Sequence, residues 1–302
     1  MIPAVGTRIS WSDLPGPVRA AVEDRLGAPV VSAESQPGGF SPGTADRVVT
    51  RTGERAFVKA VSRAVNERSA EMARDELRIT AALPAQAPVP RLLGGFDDGG
   101  WVVLIFEDID GRHPRTPWVR PEIDAAVTAL RDLAHALTPS PVPDAPAATD
   151  RLAHTFASWA RIAADPPPDL DPWLAARLDE LIAASDRAAA SLGGTTLVHC
   201  DIRADNMLIT PDDKVFIVDW PWGCIGPDWL DTALLAMNVL VHGGAMALTG
   251  EQRDVVIGFT GYLLDFARLP PPPGLPTVRA FQRAQADALL PWLKTQIRLD
   301  SR

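Results

Sequence analysis

Little in this sequence points to a disulfide scaffold, a membrane anchor or a nucleic-acid binder. Only two cysteines, Cys200 and Cys224, occur in 302 residues. Neither belongs to a metal-ligand or disulfide spacing, which fits a reducing compartment. The most apolar long segment, 229–241, is interrupted by Asp231 and runs into His242-Gly243-Gly244, too short and too polar to cross a bilayer. No basic stretch followed by an apolar one opens the chain, so no secretory signal is expected. Lys and Arg total 29 against 38 Asp and Glu, a formal net charge of −9, whereas contact with a phosphate backbone needs clustered cations. No internal repeat is visible. These absences predict a soluble, cytoplasmic protein with no nucleic-acid or membrane partner, its oligomeric state left open.

What is present is globular material punctuated by proline. A hydrophobic content of 46% supports a sizeable core, and proline clusters at 139–146, 166–172 and 270–276 read as loops between helices. Leu14, Val18, Val22 and Leu26 form a stripe after Ser12-Asp13, predicting a leading helix capped by that pair. A glycine-rich turn over 36–44 then joins strands, among them 47–52 and 56–61. A helix follows from Asn66 to about Leu83, and a strand over 101–106 after the turn at 97–100. Beyond residue 111 the pattern is helical: stripes at 123–137, 152–163 and 174–192 predict core-facing helices, with further helices over 229–241, 251–269 and 278–299.

The chemistry concentrates in HCDIRADNMLITPDDKVFIVDW, residues 199–220. Two strand-like runs, 207–210 and 215–218, flank a polar turn and predict a hairpin that brings Asn206 and Asp219 to one site. Phosphoryl transfer to a hydroxyl needs one carboxylate to orient the acceptor and take its proton, and separate oxygen ligands for magnesium. Asp201 suits the first task. Asn206 and Asp219 suit the second, since an amide carbonyl and a carboxylate match a hard cation that keeps much of its water. The spacing His199, Asp201, Asn206 is that of H-x-D-x-x-x-x-N kinase loops, in which Asn206 belongs to the catalytic set, and Asp219 stands where their metal-binding aspartate stands. His199 itself is expected to be a packed, hydrogen-bonded scaffold residue.

At these residues the chain resembles the aminoglycoside phosphotransferase family, the small-molecule branch of the protein-kinase-like fold. HCDIRADN and VDW stand where members typically show H-G-D-x-x-x-x-N and I-D-W, with Cys200 replacing the usual glycine. The D-F-G and A-P-E of protein kinases are absent. The resemblance implies an α+β, bilobal fold: a small antiparallel β-sheet lobe over 1–106, a hinge at 107–111 and a larger, mainly helical lobe over 112–302. It implies ATP, or GTP, as donor together with Mg2+.

The resemblance also assigns residues. Lys59 would contact the α- and β-phosphates, held by a glutamate from the following helix. Glu71 and Glu76 are about 140° apart around that helix, so only one can pair. Glu76 is the choice, because its distance to Pro88-Val89-Pro90 resembles that in the family. A Gly-hydrophobic-Ser-Pro run at 39–42 places Ser41 among the phosphate donors, although no G-x-G-x-x-G occurs. The adenine edge would meet the Glu107 carbonyl and the Ile109 N–H. Asp231 aligns with an aspartate that braces the catalytic loop, and helix capping is an equally open role. The expected acceptor is a hydroxyl on an aminoglycoside-type or other antibiotic, since acidic clefts steer cations. A choline, homoserine, sugar or fructosamine kinase is the alternative, and a nucleotide-binding protein without turnover a third. Trp220 and Trp222 are candidates for the acceptor pocket.

Overall fold

The computed structural model describes residues 8–37, 42–272 and 275–297. Among the described residues its largest sheet is antiparallel, in the order β1-β2-β3-β5-β4. The strands are β1 (Val30–Ser35), β2 (Thr44–Thr50), β3 (Arg55–Ser62), β4 (Leu92–Asp97) and β5 (Trp101–Glu107). Strand β5 explains how the sheet is held. Its residues 102–106 are all buried, yet side chains alternate between faces. Val103 and Ile105 pack with Trp11, Leu14, Val18 and Val22, under helix α1 (Gly16–Leu26). Val102, Leu104 and Phe106 pack with Ala70 and Ala73, under helix α2 (Glu67–Ala82). A strand covered on both sides needs apolar residues at every position, and WVVLIF supplies them.

The leading helix departs from its expected cap. Trp11–Asp13 form a separate 3-10 turn, in which the Asp13 carboxylate accepts from the Ser10 backbone N–H at 2.8 Å. Helix α1 starts only at Gly16, with a proline in its first turn, where a missing N–H is tolerated. Ser12 and Asp13 therefore cap no part of α1. Helix α2 is capped by Asn66, which accepts from Ser69 N–H at 2.8 Å.

After β5 the described chain is mainly helical. Helix α3 (Arg120–Ala136) is continuous, as its stripe predicts, but the next two stripes are broken. Residues 148–164 divide into α4 (Ala148–Arg151), α5 (Ala153–Phe156) and α6 (Ser158–Ala164), and the third stripe into α7 (Pro172–Ala175) and α8 (Leu178–Ala190). At the second break Arg177 leaves helical geometry, its guanidinium 4.6 Å from the centre of the Trp173 ring. Short strands β6 (Thr196–Val198) and β9 (Cys224–Gly226) pair around the catalytic segment, and β7 (Met207–Ile209) pairs with β8 (Val215–Ile217) as the expected hairpin. Helices α9 (Leu230–Val241), α10 (Gly250–Ala267) and α11 (Val278–Gln296) complete the chain. No helix among the described residues is long and apolar enough to cross a membrane.

Helix α10 packs against α5, α6, α8, α9 and α11, and glycines on it set how closely. A Cβ on Gly261 would lie 2.7 Å from the Trp159 ring, a fully buried side chain whose Nε1 donates to the Ile257 carbonyl at 2.9 Å. The ring has no room to yield. Alanine is the better helix former by about 1 kcal/mol, yet overpacking costs roughly 1–3 kcal/mol. Gly261→Ala is thus expected to lower stability in urea unfolding, and a variant more stable than wild type would contradict this close approach.

Candidate active site

The catalytic segment lies between two short pairs of strands, so its backbone is fixed at both ends. The loop itself is held by Asp231, near the start of α9. Its Oδ2 accepts from the His199 N–H at 2.7 Å and its Oδ1 from the Cys200 N–H at 2.9 Å. Asp231 is one residue inside α9, and the helix N-cap is Trp229. Of the two open roles, the geometry therefore realises the bracing one. Burial pushes the Asp231 carboxyl up, opposed by His199 and by the two N–H bonds.

His199 is fully buried, its Nε2 2.9 Å from the Val218 carbonyl and its ring 4.8 Å from that of Trp220, edge to face. This is the scaffold placement expected for it. Cys200 follows with φ of +68°, a left-handed conformation that glycine adopts without strain and other residues at a cost of roughly 1–2 kcal/mol. Its sulfur lies 3.2 Å from that of Cys224, both as free thiols, and the contact with Cys224 together with burial raises the Cys200 thiol well above its ordinary range.

Asp201 comes next, half-buried. Asn206 Nδ2 donates to its backbone carbonyl at 2.8 Å and to its Oδ2 at 3.1 Å, and Arg203 Nη1 to its Oδ1 at 3.3 Å. Burial raises the Asp201 pKa, opposed by Arg203 and His199. Because the Asn206 amide nitrogen is committed to Asp201, its carbonyl oxygen is the group it can offer a cation. Across the hairpin the Val218 N–H donates to the Asn206 backbone carbonyl at 3.0 Å, which carries Asp219 to the same end. Asp219 has φ of +71°.

Lys59 on β3 links these parts. Its Nζ is 2.7 Å from Glu76 Oε1 and 2.6 Å from Asp219 Oδ1. Glu76 is buried and also accepts from the Trp220 N–H at 3.4 Å, while Glu71 pairs instead with Arg68 at 3.0 Å. Burial works against the Lys59 charge, yet Asp219 and Glu76 outweigh it and raise its pKa. Burial raises Glu76 despite Lys59. For Asp219 the lysine wins over burial and the net direction is down.

One cleft of about 220 Å³ is lined by Lys59, Glu76, Glu107, Ile109, Asn206 and Asp219. Asp201 is not among its walls and reaches it through Arg203 and Asn206. Ser41 lies outside the described residues. Trp220 also lines the cleft but is fully buried, its Nε1 donating to the Ile217 carbonyl at 3.1 Å. Trp222 packs half-buried against the main core. Around the expected hinge, Asp108 binds Arg47 Nε at 3.0 Å and Arg55 Nε at 2.9 Å, and Arg47 Nη2 donates to the Ile109 carbonyl at 2.8 Å.

Arg47, Arg8 and Arg203 all line the cleft, and none is singled out by the sequence reading. For Arg203 a signal existed: it stands two residues after Asp201, inside the catalytic motif. Among the described residues no group of three His, Cys, Asp or Glu could hold a metal. Asn206 and Asp219, which both line the cleft, could offer an amide and a carboxylate oxygen, donors that would suit magnesium completed by water and phosphate oxygens.

Removing the Asp231 brace leaves two buried N–H groups without an acceptor, each costing about 1–3 kcal/mol. Asp231→Ala is expected to lose several kcal/mol in chemical denaturation. A loss below about 0.5 kcal/mol, the scale of an ordinary surface change, would show the brace to be dispensable.

A model of the phosphotransferase enzyme family matches residues 37–261. No curated protein matches the chain significantly. Among solved structures, a choline/ethanolamine kinase family protein from Mesorhizobium loti is 15% identical with a TM-score of 0.60, covering 94% of this chain and 95% of its own. A thermostable mutant of aminoglycoside phosphotransferase APH(4)-Ia, in ternary complex with ADP and hygromycin B, is 14% identical with a TM-score of 0.57, covering 91% and 98%. Choline kinase LicA from Streptococcus pneumoniae is 13% identical with a TM-score of 0.56, covering 92% and 96%. At these identities the likeness is one of fold, the expected α+β, protein-kinase-like one. The match to the family model runs from before β2 through most of α10 and takes in the whole catalytic segment, so the chain belongs to the phosphotransferase enzyme family.

Proposed function

We propose that this protein is a small-molecule kinase that transfers the γ-phosphate of ATP, or of GTP, to a substrate hydroxyl. The observation that carries the reading is the placement of Lys59, within 2.7 Å of Glu76 and 2.6 Å of Asp219, in a cleft that also holds Asn206. The base of the nucleotide would enter between Phe57, Pro90, Phe106 and Leu208, apolar surfaces suited to a flat ring. The hinge backbone at Glu107 and Ile109 would meet its edge. In this reading residues 1–106 form the nucleotide lobe and 112–302 the acceptor lobe.

Lys59, steadied by Glu76, binds the α- and β-phosphates. Asn206 and Asp219 would hold magnesium, which when bound would neutralise charge on the phosphates. Asp201, aimed by the Asn206 amide and by Arg203, orients the acceptor hydroxyl and takes its proton. Its burial favours the neutral form and so strengthens it as a base.

The formal charge of −9 supports a cationic, hydroxyl-rich antibiotic as acceptor. One observation favours the alternative, a metabolite carrying less positive charge. Groups that carry no negative charge stand near Asp201: the Tyr262 hydroxyl, 3.5 Å from Gln282 Nε2, feels Asp201, Arg279 and Arg203, and Arg203 faces the Phe281 ring at 5.9 Å. The carboxylates of Asp201 and Asp205 both pair with Arg203.

Asp201→Ala is expected to lower phosphate transfer by roughly a hundred- to ten-thousand-fold with nucleotide affinity retained, and Asp219→Ala to damage both. The measurement is a coupled assay over aminoglycosides, choline, homoserine, sugars and fructosamines, paired with antibiotic susceptibility of cells expressing the protein. Turnover only on metabolites selects the alternative acceptor class. Nucleotide binding without turnover on any acceptor, or near-normal transfer by Asp201→Ala, would defeat the mechanism.

A further inference from the structure

Apart from aiming Asp201, no role above uses the charge of Arg203. It stands between Asp201 and Asn206 in the loop, its side chain only 18% exposed, and it walls the cleft together with Lys59, Asn206 and Asp219. We propose that Arg203, clamped by Asp205, is a catalytic residue that binds the phosphoryl group during transfer. The proposal rests on the kinase reading of this cleft and adds a residue to it.

The hydrogen bonds set the geometry. A guanidinium has five N–H donors in one plane. Nε donates to Asp205 Oδ1 at 2.9 Å and Nη2 to Asp205 Oδ2 at 2.8 Å, a two-point grip that fixes the plane. Nη1 donates to Asp201 Oδ1 at 3.3 Å. Three N–H groups are thereby engaged with described residues and two remain, on nitrogens already held in place. A planar fork of this kind matches the oxygens of a phosphoryl group. The Phe281 ring lies 5.9 Å from Cζ, within cation–π range.

The charges supply the reason. Lys59 is already engaged by Glu76 and Asp219, so its charge is largely spent before a nucleotide arrives. At the transfer end the loop offers the carboxylates of Asp201 and Asp205. A phosphoryl group in transit carries negative charge on its three equatorial oxygens, and two carboxylates alone would repel it. Arg203 is the cation between them. In the step, the acceptor oxygen forms its bond to phosphorus, Asp201 takes the hydroxyl proton, and the bond from phosphorus to the bridging oxygen breaks with its electron pair leaving on the nucleoside diphosphate. Arg203 moves no proton and neutralises the oxygens throughout. Burial opposes a charge on Arg203, but Asp201 and Asp205 outweigh it, so the cation persists across any working pH.

A purely structural arginine would staple the loop and do nothing more. The two roles separate in magnesium-ADP binding measured by calorimetry with and without aluminium fluoride, a mimic of the phosphoryl group in flight, alongside thermal melting. Wild type is expected to bind ADP more tightly when aluminium fluoride is present. Arg203→Ala should lose that gain, by roughly a hundredfold, with the affinity for ADP alone nearly unchanged, while the loss of the cation between Asp201 and Asp205 lowers the melting temperature. Arg203→Lys should recover part of it, and Asp205→Asn should fall between. A full gain in Arg203→Ala overturns the proposal, as does an equal loss of ADP affinity with and without aluminium fluoride, or the absence of any gain in wild type. If wild type binds no magnesium-ADP at all, the nucleotide reading of the cleft fails first and takes the proposal with it.

Discussion

The contact on which the site depends is the ammonium of Lys59 held between the carboxylates of Glu76 and Asp219. It joins three parts distant in the chain: a sheet strand, the helix over that sheet, and the hairpin carried by the helical region. A buried ion pair is weak evidence for stability, because desolvation offsets most of the attraction. Its value here is positional. On the proposed reading Glu76 would keep the lysine in place when phosphate oxygens replace Asp219, and Asp219 would then be available to hold magnesium. The rest of the architecture serves that arrangement. Both faces of β5 are covered, so neighbouring β3 cannot shift, and α2 is pinned by packing on the sheet.

A second constraint acts on the catalytic loop. Cys200 and Asp219 both hold left-handed backbone, a conformation that persists only where the surroundings over-determine it. Those surroundings are visible. Asp231 takes the N–H groups of His199 and Cys200, the His199 ring binds the Val218 carbonyl, and Trp220 packs on that ring. The strain directs Asp219 to Lys59 and leaves Asp201 beside Asn206. Rigid support of this sort is what phosphoryl transfer needs, since its catalysis is mostly positioning and charge.

The electrostatics of the loop are compatible with the triphosphate proposed for this acidic protein. Burial makes Asp201 a stronger base, and Arg203 between Asp201 and Asp205 keeps the two carboxylates from facing each other unscreened. The segment after β5 repeats the pattern, with Asp108 between Arg47 and Arg55. In each case the overall negative charge is locally balanced, so net charge describes the surface poorly where chemistry takes place.

What the sequence determined by itself was the short-range chemistry. The spacing from His199 to Asn206, the hairpin ending at Asp219 and the lysine inside an apolar strand are local patterns, fixed by bond geometry over a few residues, and the structure keeps them. It also favoured Glu76 over Glu71 through resemblance alone, since helix periodicity said only that one of them could pair. Tertiary structure decided the rest. The role of Asp231 was open because capping and bracing read identically in sequence, and only the approach of α9 to the loop tells them apart. The broken stripes at 148–164 and 172–190 look like continuous helices because apolar periodicity does not register a backbone turn such as that at Arg177. Arg8, Arg47 and Arg203 entered the cleft unannounced, because which arginine meets which carboxylate depends on segments brought together from across the chain, and sequence separation carries no record of that distance.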